Sequence, residues 1–154
     1  MSELKEGDKA PVFTAKDQNG NTVSLSDFLG KDVILYFYPK DDTPGCTAEA
    51  CDFRDNYQSL QQKGFTVIGV STDDEQSHQK FISKYQLPFS LIADTDQKIV
   101  NDYGVWVEKN MYGKKYMGTA RKTFIIDKEG TIKKIIDKVD TKESSKQVLD
   151  LLNA

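Results

Sequence analysis

Cys46 and Cys51 are the only thiols in the chain, and both fall within YPKDDTPGCTAEAC, residues 38–51. Thr43-Pro44-Gly45, just ahead of the first cysteine, reads as a helix start. Threonine is a good capping residue, and proline suits the first helical position because its missing amide hydrogen has no partner to lose there. Asp42 could cap instead, and the sequence does not choose between them. Either way Cys46 lies in the first turn, where unpaired backbone amides and the positive end of the helix dipole favour an anion. A cysteine so placed is a candidate thiolate nucleophile. Gly45, with no side chain, lets a small substrate approach the adjoining backbone. Asp41 and Asp42 would oppose the anion if they pointed inward, so a cation is expected from elsewhere in the chain.

Cys51 is placed differently. Residues i and i+5 of a regular helix have Cα atoms about 8–9 Å apart and project about 140° away from one another. A disulfide needs Cα atoms within about 7 Å, so the two cysteines can join only if the first turns unwind. That spacing points to a bond made and broken during function. Two other readings remain open on the residues alone. Both cysteines could be small buried hydrophobes, or the chain could be a dithiol reductase, although the C-x-x-C spacing typical of one is absent. A metal centre is not expected. The one histidine, His78, stands in a polar helical stretch and is expected at the surface, and two thiols with a distant imidazole do not make a four-ligand zinc set.

The elements that must position these thiols follow from the apolar pattern. VILYFY, Val33 to Tyr38, is apolar at both parities and reads as a strand covered on both faces. Residues 44–62 form a helix candidate carrying both cysteines, with Phe53, Tyr57 and Leu60 on one face. FTVIGVS is a second buried strand, followed by a polar helix around DEQSHQKFISKY. FSLIAD reads as a short strand, and DQKIVNDYG as a short helix closing on Gly104. KTFIID and TIKKIID bracket Lys128-Glu129-Gly130 as a hairpin, and KESSKQVLDLLN is a terminal helix with Val148, Leu151 and Leu152 on one side. Near the N-terminus, PVFTAKDQNGNTVSL reads as two strands joined at QNGN, and SLSDFLG as a cap, one helical turn and a glycine stop. Trp106 to Ala120 shows no clear period, and Trp106, Tyr112 and Tyr116 are expected to pack inward. The whole is an α/β fold with a mixed central sheet, and its ligand chemistry belongs at the carboxyl end of VILYFY.

With 154 residues, 38% hydrophobic and 29% charged, the chain fits one globular domain over residues 1–154. A net charge of −3, with lysines interleaved among acids, gives no footprint for nucleic acid or an anionic membrane. MSELKEGDKAPVF has no apolar export core, so the reducing cytoplasm is the expected compartment. Cysteines there serve thiol chemistry more often than structural disulfides.

Pro39-Lys40-Asp41-Asp42-Thr43-Pro44-Gly45-Cys46 matches P-x-x-x-T-x-x-C, the active-site pattern of the peroxiredoxins. The longer FYPKDDTPGCTAEACDFRD resembles their bacterioferritin comigratory protein group, also called peroxiredoxin Q, as do GDKAPVF, VIGVSTD and ARKTFIIDKEG. The resemblance spans essentially the whole chain. It implies a thioredoxin-like fold with an N-terminal hairpin extension, and reduction of hydrogen peroxide and organic hydroperoxides without metal or organic cofactor. In that scheme Cys46 is the peroxidatic thiolate and becomes a sulfenic acid. Thr43 donates its hydroxyl toward thiolate and peroxide, Pro39 shields the pocket, and the amides of Gly45 and Cys46 hold peroxide oxygen. Arg121, ahead of KTFIID, supplies the cation, and Glu49 matches an acid that orients it. Cys51 resolves the sulfenic acid as an intramolecular disulfide, which thioredoxin, or a glutaredoxin-like reductant, reopens. With the resolving thiol in the same chain, a monomer is expected. A redox sensor whose disulfide alters partner binding is the competing functional class.

Overall fold

The computed structural model describes residues 4–153. Its frame is a five-stranded sheet in the order β5-β4-β3-β8-β9. These strands are β3 (Asp32–Phe37), β4 (Phe65–Ser71), β5 (Ser90–Ala93), β8 (Lys122–Ile126) and β9 (Ile132–Ile136). β3, β4 and β5 run parallel, while β8 and β9 join antiparallel on the other side of β3. The sheet is therefore mixed, and the strand read as covered on both faces lies at its centre.

Alternation along β3 separates two cores. Val33, Leu35 and Phe37 face Ala10, Phe13, Leu25, Ile99, Val100 and Tyr103. Ile34, Tyr36 and Tyr38 face the opposite way, onto the helices. Those helices are α1 (Pro44–Asp55), α2 (Tyr57–Gln62), α3 (Glu75–Tyr85) and α5 (Ser144–Asn153). They contribute Cys46, Ala50, Phe53, Leu60, Phe81 and Val148 to that second core. Burying an aromatic such as Phe53 contributes about 2–3 kcal/mol, which fixes α1 against the sheet. Gly69 on β4 is required by one of these side chains. A Cβ there would lie 2.8 Å from the Tyr36 ring and 2.7 Å from Leu91, so the missing side chain lets Tyr36 cross the neighbouring strand.

The N-terminal pair β1 (Thr14–Lys16) and β2 (Thr22–Ser24) is an antiparallel hairpin, followed by a single 3-10 turn at Leu25–Phe28. The short helix α4 (Lys98–Asp102) ends ahead of Gly104, which adopts φ 71°. These agree with the sequence pattern.

Four expectations change. The helix expected over 44–62 breaks at Asn56, whose φ of −108° and ψ of 7° leave the helical region, while its side chain donates to the Asp52 carbonyl at 2.9 Å. Trp106–Ala120 contains a hairpin of β6 (Trp106–Met111) and β7 (Lys114–Thr119), a two-stranded sheet of its own. Tyr112 and Gly113 both take positive φ at its turn, as a two-residue hairpin of matching twist requires. Trp106 packs against the first core, but Tyr112 is fully exposed and Tyr116 is 43% exposed, because the hairpin has no second layer to cover them. On α5 the inward residues are Val148, Leu149 and Leu152, and Leu151 faces out, 42% exposed. His78 is fully buried, not at the surface.

Candidate active site

β3 ends at Phe37, and the chain leaves its carboxyl end through Tyr38 and Pro39 toward α1. Asp42 adopts φ 57° and turns the chain so that Thr43 becomes the N-cap and Pro44 opens the helix. The cap is positional. The Thr43 carbonyl accepts from the Thr47 amide at 2.8 Å, but no side chain among the described residues caps the helix. The Thr43 hydroxyl instead donates to the Lys40 carbonyl at 2.9 Å. That corrects the expectation that the hydroxyl donates toward the Cys46 thiolate and peroxide, since its one hydrogen is spent on the Lys40 carbonyl, and it leaves the amides of Gly45 and Cys46 for a ligand.

Asp42, the other capping candidate, is also occupied elsewhere. Its carboxylate accepts from Lys84 Nζ and from the Tyr85 hydroxyl, both at 2.9 Å, and these bonds lower its pKa. Asp41 is buried and accepts from the Tyr38 hydroxyl at 2.6 Å. Both acids therefore spend their charge on α3 and on Tyr38, just beyond β3, not on the sulfur.

The expected cation is present. Cys46 is only 1% exposed, and its Sγ accepts from Arg121 Nη2 at 3.3 Å. Arg121 Nη1 donates to Glu49 Oε1 at 2.9 Å. Arg121 stands between β7 and β8, one strand over from β3, so the mixed sheet brings residues 75 positions apart in the chain to one point. Burial works against the guanidinium charge, but Cys46 and Glu49 outweigh it and raise its pKa. Glu49 is fully buried against Arg121, not a solvated helix residue. Burial lifts its carboxyl to about 7 against the pull of Arg121, and its Oε2 has no partner among the described residues.

Gly45 is fixed by this cation. A Cβ there would lie 3.0 Å from Arg121 Nη2 and 3.9 Å from Thr141 Cγ2. Thr141, in the loop before α5, thus borders the pocket, as sequence reasoning did not foresee. Lys109 on β6 was also missed. Its Nζ donates to the Thr119 carbonyl at 2.6 Å, and burial, then Arg121, lowers its pKa while Cys46 raises it. Neither residue carries a spacing signal, because each arrives through a loop or a hairpin register. Pro39 is half-buried at the mouth of the same loop.

Cys51 lies farther along α1, half-buried, and both cysteines are free thiols in this conformation. Burial pushes the Cys51 thiol up, with Arg54 opposing. The site thus comprises a buried sulfur under a guanidinium, an uncapped helix start, and a second thiol on the same helix. Asp41, Asp73 and His78 form a cluster of metal-ligating type on the other side of the loop. Their polar atoms already bond to one another and to neighbouring serine, tyrosine and backbone groups.

Comparisons with known proteins agree with this geometry. The AhpC/TSA family model matches residues 6–135. The chain is 52% identical over 136 residues to a putative peroxiredoxin bcp of Coxiella burnetii, covering 88% of this chain and 90% of that one. It is 48% identical over 149 residues to peroxiredoxin Bcp of Bacillus subtilis, covering 97% and 95%. Among solved structures, a cysteine variant of Xylella fastidiosa PrxQ superposes with TM-score 0.88 at 31% identity, covering 99% of this chain and 97% of the other. A Xanthomonas campestris bacterioferritin comigratory protein, described for its alkyl peroxide reduction activity, superposes at 0.85 with 34% identity, covering 91% and 89%.

Proposed function

Because the chain belongs to the AhpC/TSA family, as a peroxiredoxin of the Bcp or peroxiredoxin Q group, we propose that its thiol peroxidase activity runs through Cys46 and is resolved within the chain by Cys51. The fold is thioredoxin-like, the substrate a hydroperoxide and the reductant of thioredoxin type. The observation that carries the assignment of residues is the line Cys46–Arg121–Glu49, with contacts of 3.3 and 2.9 Å at an uncapped helix start.

The Cys46 thiolate attacks the terminal peroxide oxygen. An S–O bond forms, the O–O bond breaks, and the departing oxygen takes up a proton and leaves as alcohol or water. Arg121 and the amides of Gly45 and Cys46 face the charge that develops on those oxygens. The Thr43 hydrogen is committed to Lys40, so Oγ1 offers its lone pairs and accepts the peroxide O–H, orienting the substrate. Pro39 keeps water from one side of the pocket. Cys51 then attacks the Cys46 sulfenic acid, water leaves, and an S–S bond forms after the first turn of α1 unwinds. A dithiol reductant, thioredoxin or a glutaredoxin-like protein, exchanges with that disulfide and restores both thiols.

We place this cycle in a cytoplasmic, monomeric, single-domain enzyme. Its net charge is −3, and none of the described helices is long and apolar enough to cross a membrane. Coupled consumption of NADPH with thioredoxin and thioredoxin reductase tests the assignment. Wild type turns over hydroperoxide and Cys46→Ser does not. Cys51→Ser reacts once and stalls with thioredoxin. Equal turnover by Cys46→Ser and wild type refutes the role of Cys46, and sustained turnover by Cys51→Ser refutes that of Cys51.

A further inference from the structure

Asp41 precedes Thr43 by two residues in the active-site loop, yet its carboxylate is turned away from Cys46 into a buried polar cluster. Three donors reach it. The Tyr38 hydroxyl bonds Oδ1 at 2.6 Å, Ser77 Oγ bonds Oδ2 at 2.8 Å, and His78 Nδ1 lies 2.7 Å from Oδ2. The backbone amide of Asp41 donates to Asp73 Oδ2 at 2.8 Å. His78 Nε2 lies 2.9 Å from the Ile92 carbonyl on β5.

The ring's protonation follows from its partners. A carbonyl oxygen only accepts, so Nε2 carries a hydrogen. The contact between Nδ1 and Asp41 needs a second one, because an ionised carboxylate has none to give. Whether that proton sits nearer nitrogen or oxygen, the pair holds one more than neutral histidine with an ionised aspartate. Charges facing the ring from every side favour this: Asp41 from the loop after β3 and Asp73 from the loop after β4. Asp74 at the start of α3 spends its carboxylate on the Ser77 amide, and Asp94 beyond β5 on the amides of Ile99 and Val100. Burial pulls the His78 pKa down, but the bond and charge of Asp41, the Ile92 carbonyl and Asp73 together raise it.

We propose that His78, as an imidazolium bridging Asp41 and Ile92, is a positioning residue that latches the loop ahead of Cys46, and that the latch opens when the Cys46–Cys51 disulfide forms. The inference rests on the resolving role of Cys51 proposed above. Cys46 reaches Cys51 only by leaving the first turn of α1, and the short segment Asp42–Gly45 ties that excursion to Asp41. Asp42, at φ 57°, makes the turn of that segment in the left-handed conformation, which aspartate and asparagine adopt more readily than other residues with a side chain. Once Asp41 withdraws, the buried ring loses the acid that is bonded to it and keeps only the weaker pull of Asp73, and its extra proton leaves. Reduction reverses this: two electrons break the S–S bond, the sulfurs take up their protons, and His78 takes up one more as the latch closes.

The chain has one histidine, so its ring resonances are unambiguous. An NMR pH titration of the full-length protein is expected to show His78 protonated well above the ordinary pKa of about 6.5 in the dithiol form. In the disulfide form it titrates at lower pH. Identical titrations in the two forms overturn the proposal. Equilibration of the disulfide with a dithiothreitol redox couple across the same pH range counts protons independently. Wild type takes up one more proton per disulfide reduced than His78→Gln, in the window between the two titration midpoints. Equal counts overturn the latch. Mass spectrometry of the oxidised sample separates the two levels of the argument, since absence of a 46–51 linkage refutes the resolving role of Cys51 itself, whatever His78 does.

Discussion

Replacing Arg121 by Met separates the two things its guanidinium does. Toward Cys46 it supplies a charge-assisted hydrogen bond of 3.3 Å, and toward Glu49 one of 2.9 Å to a fully buried carboxylate. Bonds to charged groups contribute about 1.5–3 kcal/mol. Lost from the transition state, that amount slows oxidation by about 10- to 160-fold. The stability effect has a different origin. Among the described residues Glu49 Oε2 already lacks a partner, and without Arg121 both oxygens do. Breaking a buried pair in this way costs about 3–5 kcal/mol while the carboxylate is charged. Burial holds the Glu49 carboxyl at about 7 even with Arg121 pulling it down, and loss of Arg121 raises it further. The penalty is therefore small at pH 5, where the group is neutral with or without Arg121, and grows toward pH 8. Urea unfolding at the two pH values measures stability, and single-turnover stopped-flow with hydrogen peroxide measures the rate. The double variant Arg121→Met/Glu49→Leu regains the stability without the rate. Oxidation of Arg121→Met within threefold of wild type refutes the role of the guanidinium, and so does a double variant that recovers the rate.

Gly45→Ala puts a Cβ 3.0 Å from Arg121 Nη2. The guanidinium is displaced by a few tenths of an ångström, and peroxide oxidation is expected to slow about tenfold with little change in the urea midpoint. Glu49 makes wild-type stability fall as pH rises from about 4.5, its ordinary value, to about 7 in the fold, because the unfolded chain releases that proton first. Glu49→Gln removes this slope, and an unchanged slope in its urea titrations refutes the assignment. Phe53→Ala, at the centre of the helix-side core, costs about 3–5 kcal/mol, whereas Tyr112→Ser at the fully exposed hairpin turn stays within about 0.5 kcal/mol. Chemical denaturation distinguishes them directly.

Strands β3, β4 and β8 were legible because a sheet covered on both faces writes itself as near-continuous apolar runs such as VILYFY and FTVIGVS. β9, IKKII, was legible from the hairpin turn at Lys128-Glu129-Gly130. The reactive cysteine was legible because a helix start has local chemistry of its own. Other features depend on groups distant in sequence. His78 shares an α3 face with Phe81, Ile82 and Tyr85, a helical stripe present in the sequence, but a buried imidazole becomes tolerable only once Asp41 lies opposite it. The β6–β7 turn uses Tyr112 in a left-handed conformation, supported by the Asn110 side chain accepting from the Gly113 amide at 3.0 Å. An aromatic residue gives no turn signal. Thr43 has the right type and position for a cap, yet its hydroxyl chooses the Lys40 carbonyl once Asp42 turns the loop.

The two ends of α1 are held by forces of different kinds, and this makes the five-residue spacing workable. Its far half is anchored by packing and long-range bonds: Phe53 is fully buried, Asp52 Oδ2 accepts from the Ser145 amide at 2.7 Å, and Arg54 Nη1 donates to the Tyr85 carbonyl at 2.8 Å. None of these depends on the state of sulfur. The near turn has no side-chain cap, and the Cys46 side chain is held by Arg121. That second contact depends directly on sulfur. A neutral sulfenic acid draws on the guanidinium less than a thiolate, so oxidation weakens the hold on Cys46 while Cys51 stays on the anchored half. Fraying one helical end is a low-cost local opening, and here peroxide itself lowers that cost at the turn that must move. In the proposed cycle, the charge assigned to activating Cys46 therefore also delays its meeting with Cys51 until the first chemical step is complete.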